Sequence, residues 1–195
     1  MELKNGIATF YATSKAEWRN WLQENHASAK NVWLIIYKKE SGKPSITYKE
    51  AVEQALCFGW IDSKPNTRDG ESFYQFFAQR NPKSNWSKVN KTKVEELIQQ
   101  NLMTEAGYKM IEIAKQNGTW DALNEVEASV IPADLQEALN ANAAALNNFN
   151  AFPRSSKRNI LEWILNAKQP ATRTKRIEET VRLAAENIKA NHYRQ

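Results

Sequence analysis

Residues 60–79 read Trp-Ile-Asp-Ser-Lys-Pro-Asn-Thr-Arg-Asp-Gly-Glu-Ser-Phe-Tyr-Gln-Phe-Phe-Ala-Gln. Two strand-like runs, Trp60 to Lys64 and Phe73 to Gln79, flank the pair Asp69-Gly70. Such a pair favours a two-residue hairpin turn, because both turn positions need positive φ. A two-residue turn sets Trp60 opposite Gln79 and Asp62 opposite Phe77. Pro65 has no N–H, so it shortens the first strand or moves it to a sheet edge.

Upstream, Val32-Trp33-Leu34-Ile35-Ile36-Tyr37 is a β-branched and aromatic run of strand length. Thr47-Tyr48-Lys49-Glu50 is a capping box. Its helix places Tyr48, Ala51, Val52, Ala55 and Leu56 on one face, and Gly59 is a natural stop. A second box, Ser14-Lys15-Ala16-Glu17, opens a helix striped with Trp18, Trp21 and Leu22. Downstream the period turns helical from Ser84 or Ser87, with Val94, Leu97 and Ile98 inward. Another helix begins at Thr104 and ends at Asn117-Gly118.

Beyond residue 125 no further strand pattern occurs. Pro132 suits the first turn of a short helix. Residues 138–150 are rich in Ala, which favours helix, and in Asn, which weakens it. Ser155 or Ser156 caps a helix carrying Ile160, Leu161, Trp163 and Ile164, which Pro170 breaks. The last helix starts near Thr172 with Ile177, Val181, Ala184 and Ile188 inward. The whole pattern predicts an α+β fold. Residues 1–125 form a small mixed sheet, one strand plus a hairpin, with packed helices, and residues 126–195 form an all-helical unit.

Composition narrows the function classes. Cys57 is the single cysteine, so neither an internal disulfide nor a cysteine-based metal site can form. The two histidines, His26 and His192, are far apart in sequence, and no metal site or cofactor is expected. Six glycines include no phosphate-binding loop, and no Gly-x-Ser-x-Gly elbow occurs. No run approaches the ~18 apolar residues of a membrane helix, and the start shows no secretory h-region. These signals point to the cytoplasm. The net charge is +5, and residues 154–195 alone hold 10 Lys/Arg against 4 Asp/Glu. Such a segment attracts anionic partners, or it is a solvated helix face.

Several motifs together resemble a known family. Tyr48-x-Glu50-Ala51-Val52-x-x-Ala55-Leu56-Cys57-Phe58-Gly59-Trp60-Ile61-Asp62 is similar to the signature of the YdeI/OmpD-associated, or bacteriocin-protection, proteins. The match continues with Phe77-x-x-Arg80, Ser84-x-Trp86-Ser87-x-x-Asn90, Met103-Thr104-x-x-Gly107 and Trp120-Asp121. It returns as Pro132-x-Asp134-Leu135, Ala167-Lys168 and Thr172-Arg173-x-x-Arg176-Ile177. The family's usual Phe-Thr-Pro-Arg stands here as Phe77-Ala78-Gln79-Arg80. The resemblance implies a protective role and no particular reaction.

The residues best placed to bind a ligand are Trp60, Asp62, Arg80, Ser84, Trp86, Ser87 and Asn90. Trp60 and Asp62 share a strand face. Arg80 can pair Asp62 through both guanidinium edges, either as a tie within the fold or as an anchor for a polar ligand. The Ser84–Asn90 helix start can hold a small anion, though Ser84 or Ser87 also serves simply as a cap. Cys57 reads as a small buried hydrophobe, and Glu50 as the third residue of its capping box. Arg173, Lys175 and Arg176 form a basic patch in the first turn of the last helix, where cations oppose the helix dipole. A partner that offsets this is expected, for which acidic residues of the N-terminal unit are candidates.

Three readings follow. The first is a cytoplasmic stress or bacteriocin-protection protein that binds a small anionic or polar ligand, or a protein partner. The second is an enzyme on a small polar substrate, with Asp62 or Glu50 as acid/base and Arg80 as anion clamp. The third is a basic adaptor for nucleic acid or an anionic surface, although no nucleic-acid motif accompanies the charge.

Overall fold

The fold was obtained as a computed structural model, which describes residues 2–191. The chain divides into two compact units between Asp121 and Ala122. As the sequence pattern predicts, the fold is α+β, with a mixed sheet near the N-terminus and helices beyond it.

The first unit runs β1 (Leu3–Lys4), β2 (Ile7–Tyr11), α1 (Lys15–Asn25), β3 (Asn31–Tyr37), α2 (Tyr48–Cys57), β4 (Trp60–Thr67), β5 (Ser72–Gln79), α3 (Lys88–Gln99) and α4 (Glu105–Gln116). The sheet order is β1-β2-β3-β5-β4. Strands β2 and β3 are parallel, joined through α1, and the other pairs are antiparallel. The short N-terminal pair β1–β2 is closed by Asn5-Gly6, with φ 51° and 76°, a hairpin-turn pair that sequence reasoning passed over.

Val32, Leu34 and Ile36 of β3 share the main core with Phe77 of β5, Trp18 and Leu22 of α1, and Val52 and Leu56 of α2. Their neighbours along the strands, Trp33, Ile35 and Tyr74, make a smaller cluster of their own. This split follows from the two-residue period of a strand. Both capping boxes of the sequence contribute caps: Ser14 accepts from the Glu17 N–H at 3.3 Å, and Thr47 exchanges bonds with Glu50. Gly59 takes φ 72°, the left-handed turn that ends α2. Tyr48, expected on the inner face, is 46% exposed, because at the first helical position its ring swings out to Asp62.

The hairpin pairs as expected at one end and differs at the other. Trp60 faces Gln79 and Asp62 faces Phe77, but the register slips by one before Pro65, which faces Gln75. Pro65 cannot donate a ladder bond, so a bulge absorbs it. The slip lengthens the turn, and neither Asp69 nor Gly70 takes a left-handed φ. Instead the Asp69 carboxylate accepts from the N–H groups of Glu71 and Ser72 at 2.9 and 2.7 Å. The turn is closed by a side chain rather than by backbone strain.

The second unit contains α5 (Asn124–Glu127), α6 (Ala133–Asn140), α7 (Ala143–Ala151), α8 (Arg154–Leu165) and α9 (Pro170–Ala185). Leu135, Leu139, Phe149, Ile160 and Ile164 form its core, each with no exposed surface. The asparagines of 138–150 have specific work. Asn142 caps α7 by accepting from Ala145 N–H at 3.0 Å, and Asn148 donates to the Ala184 carbonyl at 2.9 Å. Helix α8 starts at Arg154, not after a serine cap. Pro153 stands at its N-cap with φ −53°, close to the value its ring imposes, and Ser156 lies buried inside the helix. Pro170 is the first residue of α9.

Candidate functional site

Arg80 follows β5 directly, and its N–H donates to the Gly59 carbonyl at 2.9 Å, which fixes the chain at the mouth of the hairpin. Its side chain is only 5% exposed. The guanidinium carbon lies 3.8 Å from the centre of the Trp86 ring, a cation–π contact. Nη2 donates to the Asn85 carbonyl at 2.6 Å, while the buried Nε finds no partner. Burial lowers the Arg80 pKa to about 10, against an opposing pull from Asp62.

The Arg80–Asp62 pair suggested by the sequence does not form. Asp62 is half-buried on the strand face of Trp60, but its carboxylate accepts from the Tyr48 hydroxyl at 2.6 Å. Burial first, and then Asp62, push the Tyr48 hydroxyl up to about 12. Trp60 is 1% exposed, its indole N–H donates to the His26 carbonyl at 3.2 Å, and its ring belongs to the core. Glu50 is engaged at its cap, where it accepts from the Thr47 N–H at 3.0 Å and hydroxyl at 2.7 Å. Cys57 is fully buried, and burial pushes its thiol up. His192 lies outside the described residues.

At the next helix start, Ser87 is the N-cap of α3 and accepts from the Asn90 N–H at 3.3 Å. Ser84 turns back to donate to the Asn81 carbonyl at 2.7 Å. Trp86 is 2% exposed and lies 5.0 Å from Trp120, ring to ring. The amines of Lys91 and Lys115 stand 5.6 and 5.5 Å from the Trp120 ring. Two tryptophans are thus flanked by three cations. Lys91 and Lys115 escaped sequence reasoning because they sit on different helices, and only folding brings them to one ring. Lys91 has an acidic neighbour in Asp121, at 3.8 Å.

The basic patch of α9 is resolved differently. Arg173 makes a two-point pair with Asp134 of α6, Nε to Oδ2 at 2.6 Å and Nη2 to Oδ1 at 2.8 Å. Its acidic counterpart therefore lies in its own unit, not on the N-terminal one. Arg176 covers the Trp163 ring at 5.0 Å and donates to the Trp163 carbonyl. Lys175 is exposed. The motifs Pro132-x-Asp134-Leu135 and Thr172-Arg173-x-x-Arg176 meet as one structural clasp.

The Arg173 hydrogen bonds, first among the causes, hold Asp134 below the usual carboxylate range. A depressed carboxyl stabilises the fold above its unfolded value, and that contribution is lost as pH falls through the folded value. Asp134→Asn should therefore lower stability at neutral pH by about 1 kcal/mol at most, since the pair is partly exposed. The gap to the wild-type melting curve should close below about pH 4. A gap that persists unchanged at low pH would contradict this account.

Two family models match separate segments of the chain. Residues 10–110 match the model of a family described as a domain of unknown function (DUF8412), and the chain belongs to that family. Residues 128–187 match a second family model, described as Bacteriocin-protection, YdeI or OmpD-Associated, the family that the sequence resembles. The motif at Tyr48–Asp62 falls within the first match, so the resemblance draws on both segments. No curated protein and no solved structure matches the chain. Among the described residues no helix is long and apolar enough to cross a membrane, and no group of acids, cysteine and histidine could hold a metal ion.

Proposed function

We propose that this protein is a cytoplasmic protective protein that acts by binding, and that it receives an acidic group of its ligand at Arg80, beside the Trp86–Trp120 pair. One observation carries the reading: among the described residues, no carboxylate lies within ion-pair distance of the buried Arg80 guanidinium, and its Nε has no partner. A buried guanidinium met only by a ring face and a backbone carbonyl still lacks a paired counter-charge, which an acidic group of a ligand would supply. Lys91 and Lys115 at the Trp120 ring extend the positive field around the same rings. Glu50 and Asp62, the candidate acid and base of the enzyme reading, are both engaged by neighbouring hydroxyls. The Arg173–Asp134 clasp likewise takes one cation away from the adaptor reading.

Inorganic phosphate and citrate are suitable probes. A ligand at about a hundred times its Kd stabilises the folded state by ~2.7 kcal/mol. Wild-type protein should melt several degrees higher with such an anion. Arg80→Met should melt higher than wild type without anion, by about 1 kcal/mol of stability, and gain nothing when anion is added. An Arg80→Met variant that still responds to anion, or that is destabilised, would make Arg80 a structural tie. In cells, the same variant should lose protection while its level stays normal.

A further inference from the structure

Helix α8 presents Asn159, Glu162 and Trp163, and its C-cap Asn166, at spacings of three and four, hence on one side. Arg176 of α9 and Asn191 join them around a cleft of about 420 Å³. Its lining holds three primary amides, of which that of Asn166 is already engaged, a carboxylate, a guanidinium and one aromatic ring. Amides offer a donor and an acceptor side by side, which matches neighbouring hydroxyl groups. The Trp163 ring supplies the single apolar surface, and Asn191 enters with φ 53°, a conformation that asparagine tolerates.

The charges then decide which hydroxyl-rich ligand fits. Glu162 is paired with Arg158 at 2.9 Å, and Arg158 also reaches Glu127 at 3.0 Å. The negative charge of Glu162 is thereby offset from outside the cleft. Arg173 is tied to Asp134. Arg176, one turn later, lies over Trp163 and bonds its carbonyl, and among the described residues no carboxylate lies within ion-pair distance of it. The cleft thus combines hydroxyl-matching amides with one guanidinium open to an acid.

We infer that this cleft is a second binding site, for a sugar acid: a small polyhydroxylated molecule carrying one carboxylate. The carboxylate meets Arg176, the hydroxyls meet the amides of Asn159 and Asn191, and a ring face lies near Trp163. The site is independent of Arg80, and either can fail without the other.

Titration calorimetry on the full chain, with glucuronate and its neutral counterpart glucose, tests this. Wild type should bind glucuronate saturably and glucose about tenfold more weakly, the loss of one charged contact. Arg176→Gln should bring glucuronate down to the glucose level. Asn159→Asp, at an exposed position, should weaken glucuronate by like-charge repulsion without shifting the melting curve. Lys175→Gln should change neither. Equal binding of the two sugars, or no saturable binding of glucuronate at millimolar concentration, would overturn the proposal. Glucuronate binding that survives Arg176→Gln and Asn159→Asp but disappears in Arg80→Met would place the acid at the other site and equally overturn it.

Discussion

Gly107→Ala is expected to destabilise the protein by about 3 kcal/mol or more, although alanine is the better helix former. In an open helix the exchange would gain roughly 1 kcal/mol. Here the added Cβ would sit 2.4 Å from the Cys57 carbonyl oxygen and 2.9 Å from its carbon. Both are backbone atoms at the end of α2, and they cannot swing aside. The same carbonyl already accepts from the Thr104 hydroxyl at 2.7 Å and the Thr104 N–H at 3.1 Å. The start of α4 is therefore pinned against the end of α2, and Gly107 is the residue that lets them touch. Denaturant titration should show a lower midpoint with an unchanged slope. A neutral or stabilising result would mean that the two helices can part without cost.

Trp86→Ala should cost about 3–5 kcal/mol, the range for deleting a large buried ring. The ring is 2% exposed, and two things depend on it: packing against Trp120 and the cover over Arg80. Deletion leaves the Arg80 charge over a cavity. Trp86→Phe keeps an aromatic face and should recover most of the loss. Arg80→Met introduced into Trp86→Ala should restore more than the ~1 kcal/mol it gains alone, because it also removes the charge whose cover was lost. Additive effects of the two substitutions would show that ring and guanidinium are energetically independent.

How much of this was legible in the residues depended on the range of the interaction. Caps are local: Ser14, Thr47 and Ser87 announce their helices within four residues, and all three stand as N-caps. The Trp60–Gln79 pairing agrees with the sequence reading although the two-residue turn it was read from does not form, because the one-residue bulge in β4 cancels the one extra residue of the turn. The bulge at Pro65 was not, since one missing N–H does not say on which side of the proline the ladder slips. The candidate site was legible in composition but not in contacts. Arg80 and Trp86 were named as members, yet the carboxylate expected beside Arg80 went to Tyr48, a competitor 14 residues upstream of Asp62. Likewise the acid that binds Arg173 lies 39 residues away in sequence, on α6. Long-range choices among several possible partners are made by packing, and a single sequence does not encode them as a pattern.

The bulge in β4 has one more consequence. Strand β4 is an outer strand of the sheet, with one side of its backbone unpaired. An unpaired row of N–H and C=O groups is a template on which another chain can grow. Ser63, Lys64, Pro65 and Asn66 are all exposed there. Proline leaves a gap in the donors, lysine brings a charge, and the slipped register twists the strand out of line. A strand arriving from a neighbouring molecule meets an edge it cannot copy. The irregularity that defeated the simple hairpin reading therefore also makes β4 a poor template for edge-to-edge pairing.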